Sequence, residues 1–190
     1  MPRDGDVWRA LLRAKGVSVA EVAKSLATTR QHAHRLLTGA RSAEARREDL
    51  ERTLALGSED ESGEGPVYAI AVLSHGEVAL LPAGDTQPLF ADRDLATSVA
   101  NALSEQDPGV CVAPVWPEYA WRSLVAFHAA WGSEAEPRRV FIVDDPSSEG
   151  PVDALVAELT EGFADTLRLR GLADDPGRLR EVGELLSRRR

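Results

Sequence analysis

The sequence predicts an α+β fold in two parts: an all-α bundle over residues 1–56, then an α/β part over 67–190 with a mixed sheet in the order ββαβαβαα. Three observations carry this. Up to residue 56 the apolar residues recur at helical spacing in short runs separated by turn residues. Residues 57–66, GSEDESGEGP, contain no apolar side chain and four acids, the composition of a solvated tether. Beyond it, short β-rich runs alternate with helical ones, which implies a sheet flanked by helices.

Charge divides along the same line. Residues 1–56 hold 11 Arg or Lys against 7 Asp or Glu, a balance of +4, and the remainder holds 11 against 24, or −13; together these give the chain's −9. Positive charge is therefore concentrated on the helical part, where it suits an anionic partner. Screening beyond about 8–10 Å at physiological salt makes the acidic second part tolerable. A flexible coil of the tether's length has ends roughly 18 Å apart, which predicts two parts able to orient separately.

Along the chain, residues 7–14 form a first helix with Val7, Trp8, Leu11 and Leu12 inward and Asp6 as its cap. Ser18 then caps a second, in which Val19, Val22, Ala23 and Leu26 recur at i, i+3, i+4 and i+7. Ala27 falls in a turn, Thr28 caps a third helix running from about Thr29 to Leu37, and Gly39 stops it. Ala33, Leu36 and Leu37 face inward, which leaves Arg30, Gln31, His34 and Arg35 as long donors on one exposed face. Such side chains suit base edges: Arg pairs bidentately with guanine and Gln with adenine, each good pair giving about 1–3 kcal/mol of discrimination. Short hydroxyls at Thr29 and Thr38 suit phosphate, which fixes register without reading sequence. Ser18, at the start of the second helix, and Arg41, just past the third, are further phosphate candidates.

Residues 18–39 resemble the helix-turn-helix of the Cro and phage-repressor (XRE-like) family. The likeness rests on small Ala23 where the two helices touch, Thr28-Thr29 opening the recognition helix, and Leu36 and Gly39 at its end. It covers roughly the first 56 residues. The resemblance implies a DNA-binding bundle, with base reading at Arg30, Gln31 and Arg35 and phosphate contact at Thr29 and Thr38. Two positions depart from the family pattern. Val19 stands where many members carry a phosphate-touching Gln, and Ala27 replaces the usual turn Gly, which must then take a conformation Gly adopts more easily. A plain helical hairpin within a larger bundle is the alternative.

Residues 42–56 predict a fourth helix with Ala43, Leu50 and Leu54, and secondarily Ala45, inward. Its Arg46, Arg47, Arg52, Glu44, Glu48, Asp49 and Glu51 read as a solvated, salt-bridged side. A bundle this small is near the lower limit for an independent core, and one short helix contacts few base pairs; both favour a homodimer on half-sites about 34 Å apart. The second part predicts a hairpin of 67–73 and 78–81 turning at Gly76, helices at 92–103, 118–131, 152–169 and 176–187, and strands at 110–115 and 139–143. The hairpin edge at 67–73, or the closing helix with Leu179, Val182, Leu185 and Leu186, is the candidate dimer surface.

The chemistry available in the second part is limited. Only Lys15 and Lys24 are lysines, so a Ser–Lys self-cleaving centre has no base there. His32, His34, His75, His128 and Cys111 lack metal-ligand spacing, which predicts no metal and no cofactor. Asp144-Asp145 ends an apolar strand; a turn and a divalent-ion site are both open readings, the turn being the plainer. His128 reads as a satisfied core residue and Cys111 as inert packing. Trp116, Tyr119, Trp121 and Trp131 read as core or interface, or as the lining of an apolar pocket.

A single cysteine, no membrane-length apolar run and no signal-peptide pattern predict a cytoplasmic protein without a membrane partner. The functional expectation is a non-enzymatic, sequence-specific transcriptional regulator of double-stranded DNA. Its second part would dimerise, bind a protein or sense a small ligand. The rivals are an adaptor or antitoxin whose second part binds a partner protein, and a metal-dependent enzyme using Asp144 and Asp145.

Overall fold

The computed structural model describes residues 1–39, 44–58, 65–131, 139–143 and 152–173. The helical part comprises α1 (Asp4–Lys15), α2 (Val19–Ser25), α3 (Arg30–Leu37), a 3-10 turn at Glu44–Arg46 and α4 (Arg47–Leu54). The chain continues through β1 (Val67–Ser74), β2 (Glu77–Leu80), β3 (Thr86–Phe90), α5 (Arg93–Leu103), β4 (Val110–Val115), α6 (Pro117–Trp131), β5 (Arg139–Val143) and α7 (Val152–Ala173). The sheet is mixed, as expected, but the order differs from the sequence expectation by one strand. β3 precedes α5, and Gln87 and Pro88 had disguised it by breaking the apolar pattern. Gln87 is buried nonetheless, its amide donating to the carbonyl of Leu81 at 3.1 Å.

β1 is the centre of the sheet. β4 pairs antiparallel with it along residues 67–72, while β2 and then β3 share its other edge, at residues 71–74 and at Tyr68. β5 runs parallel to β3. The β1–β2 turn has φ of 51° at His75 and 80° at Gly76, the paired positive values of a tight hairpin turn that matches strand twist. Because β1 is paired on both sides, the expectation that residues 67–73 offer an open edge to a second copy is corrected. The 176–187 helix, Asp144, Asp145 and Arg41 lie outside the described residues.

Alternation along β1 and β4 builds two cores. Ala69, Ala71, Cys111, Ala113 and Val115 face Val7, Trp8, Leu11, Leu50 and Leu54 of the helical part, together with Ala120 of α6. Ile70, Val72, Val110 and Val112 face Leu95, Val99 and Leu103 of α5 and Phe163 and Leu167 of α7. Helices thus cover both faces, which is why these strands are nearly continuous apolar runs. Small side chains on the first face let α1 and α4 approach closely. Leu56, just after α4, extends the sheet: its N–H donates to Pro114 O at 3.0 Å, and Trp116 N donates to its carbonyl at 2.9 Å. The helical part is therefore docked on the sheet through a shared core, which differs from the expectation of two separately orienting parts.

Helix ends also differ in detail. α1 starts at Asp4, with Asp6 inside its first turn bonded to Arg3 and Arg9 instead of capping it. The fourth helix begins five residues later than expected, after the 3-10 turn, and Ala45 is exposed. Among the described residues no helix is long and apolar enough to cross a membrane.

Candidate nucleic-acid interface

The α2–turn–α3 unit is built as its residues require. Ser18 caps α2 in a reciprocal capping box: its hydroxyl accepts from Glu21 N at 3.2 Å, and its own N–H donates to Glu21 Oε2 at 2.7 Å. These bonds hold the Glu21 carboxyl below its usual range. Ala27 adopts φ 47°, the left-handed turn that the missing glycine would take at lower cost. The cap of α3 is Thr29 and not the expected Thr28: its hydroxyl accepts from His32 N at 3.2 Å, and the helix starts one residue later, at Arg30. Ala33, Leu36 and Leu37 are buried beneath it, and Val22, Ala23 and Leu26 of α2 join the same core.

This packing leaves Arg30, Gln31, His34 and Arg35 exposed together, lining one shallow depression with Val19. α3 packs on α2 and α1, whereas α1 and α4 carry the contact with the sheet, so the donor face lies away from the α/β layers. An eight-residue helix is about 12 Å long, the scale of a major groove's width. Its exposed face has no acid, and no hydrogen bond or ion pair among the described residues engages the four donors.

The phosphate candidates are placed less uniformly. Thr29 Oγ1 spends a lone pair on its cap and keeps its proton to give. Thr38 Oγ1 donates back to His34 O at 2.9 Å, a bond it must leave to reach a phosphate. Ser18 is exposed, but the ionised carboxylate of Glu21 held against it opposes a phosphate there.

The largest surprise lies behind the interface. Glu51, read from sequence as part of a solvated side, is only 3% exposed. Its Oε2 accepts from the Tyr68 hydroxyl at 3.0 Å, and its Oε1 from Arg93 Nε at 3.0 Å, with Arg47 Nη1 at 3.7 Å. The same arginines grip Asp4: Arg47 Nη1 lies 2.8 Å from Oδ2 and Arg93 Nη2 3.2 Å from Oδ1. Burial pushes the Glu51 carboxyl up, against the opposing pull of Arg93, Tyr68 and Arg47, and raises the Tyr68 hydroxyl strongly. Five side chains from α1, α4, β1 and α5 thus form one polar cluster. The only hint in the sequence is that Glu51 falls at the margin of the Leu50–Leu54 stripe.

Other candidates resolve simply. Cys111 is buried, and burial pushes its thiol up to about 12, as inert packing requires. His128 is buried as expected; among the described residues neither ring nitrogen has a hydrogen-bond partner, and its ring meets that of Phe127 in a T-shaped contact. Trp116 is buried, Tyr119 is half-buried and Trp121 is 42% exposed, while the side chain of Trp131 lies outside the described residues. Among the described residues no three His, Cys, Asp or Glu side chains gather as a metal site would need.

The fold and the site define a mixed α/β protein that carries a donor-rich helix on an outer face. No family model matches the chain, and no curated protein or solved structure is significantly similar to it.

Proposed function

We propose that the protein is a sequence-specific, double-stranded-DNA-binding regulator of transcription, acting in the cytoplasm, that inserts α3 into a major groove. The observation that supports this best is the convergence of Arg30, Gln31, His34 and Arg35 on one acid-free outer face, over a helix capped by Thr29. Arg30, Gln31 and Arg35 read bases, His34 assists, and Thr29 contacts phosphate, with Thr38 and Ser18 secondary to it for the reasons above. Two copies act together, because one eight-residue helix spans too few base pairs for useful affinity. The α/β part supports the pairing or receives a protein or small-molecule signal; no catalytic role is assigned to it.

Fluorescence anisotropy with duplexes enriched on the intact protein, read as a salt series, tests the assignment. Arg30→Ala should cost about 1–3 kcal/mol of discrimination at one base position per half-site. Thr29→Val should weaken all duplexes alike. Binding that ignores sequence in the unmodified protein would leave only phosphate contacts and contradict the reading. In that case a stoichiometric protein partner captured by the α/β part would favour the adaptor reading.

A further inference from the structure

We infer that Arg93 is a positioning residue through which the α/β part sets the pose of the α3 reading face. The inference rests on the proposed role of α3, but its first readout does not.

Arg93 opens α5, on the face of the sheet opposite the helical bundle, yet its guanidinium reaches across to Asp4 at 3.2 Å and Glu51 at 3.0 Å. Asp4 is the first residue of α1. The next residue, Gly5, lies against the end of the reading helix: a Cβ there would stand 3.1 Å from Leu37 O, Thr38 C and Gly39 N, all backbone atoms. Backbone therefore meets backbone, with no flexible side chain between to absorb a shift. Glu51 fixes α4 to the same guanidinium, and Tyr68 ties Glu51 to the central strand. A displacement of the α5 start is thus passed through Asp4 and Gly5 to the Thr38–Gly39 end of α3 along groups in direct contact. The burial of Glu51 makes the path stiff, because bulk solvent has little access to its carboxyl to take the place of Arg93.

Hydrogen exchange on the intact protein tests this, comparing Arg93→Met with the milder rim variant Asp4→Asn. The amides of Thr38 and Gly39 are bonded to His34 O and Leu36 O, so their protection is readable. Both variants should speed exchange there about tenfold while residues 69–72 of the central strand keep their protection. Duplex affinity should fall roughly fivefold or more, with an unchanged salt slope, since neither residue touches phosphate. Unchanged exchange at Thr38 and Gly39 in both variants would overturn the inference. So would equal acceleration throughout the sheet, which would make Arg93 a general stabiliser. If the unmodified protein binds no duplex, the DNA reading fails while the exchange result still decides the coupling.

Discussion

Glu51 is the residue whose ionisation carries the most consequence. Its carboxyl is raised above the ordinary 4.5 by burial, so the folded state binds its proton more tightly than the unfolded chain does. That contribution to stability is full below pH 4.5 and is lost as pH rises through the raised value. In Glu51→Gln the group is fixed neutral, and urea midpoints should show the unmodified protein losing ground to the variant as pH rises above 4.5. A gap that moves the other way would mean that Arg93 and Arg47 outweigh burial. A second expectation at this scale concerns Ala27. Relief of its left-handed conformation, less the extra freedom of unfolded glycine, gives Ala27→Gly about 0.5–1 kcal/mol of added stability in denaturant unfolding. Destabilisation would show that the turn has tightened around the methyl group.

Among the elements, the helices of the reading unit were legible because their chemistry is local. Ser18 and Gly39 mark ends, the Thr28-Thr29 pair marks a third to within one residue, and the apolar spacing marks faces, with no need to know what lies opposite. β3 was not legible, since Thr86–Phe90 owes its strand to the neighbours β1 and β5, and the buried Gln87 amide is held by donating to the carbonyls of Leu81 and Pro88. The α1–α3 contact is equally non-local: nothing in the sequence says that Gly5 must lack a side chain. Gly5→Ala should cost about 1–3 kcal/mol through overpacking against the α3 end, measured by thermal unfolding. An unaffected midpoint would mean that the two helix ends separate freely.

At the scale of the whole molecule, the sequence marks a change of character at residues 57–66, but it hides the docking of helices onto sheet. The tether's acids and glycines suggested independence, while the small side chains that allow close approach, Ala69, Ala71, Cys111 and Ala113, look unremarkable in a strand. The shared core and the Arg93 cluster predict one cooperative transition in urea, with coincident fluorescence and far-ultraviolet dichroism curves. Two separated transitions would restore the independent-parts picture. With the helical part docked on the sheet, α3 has one outward orientation, and under the proposed function paired half-sites would be spaced to suit it. The most direct test of that claim is selection of bound duplexes from a random library by the intact protein at stated salt. A two-fold symmetric motif, with preference lost at one position per half-site in Arg30→Ala, is the predicted result; no enrichment, with residual binding that simply falls with salt, would contradict it.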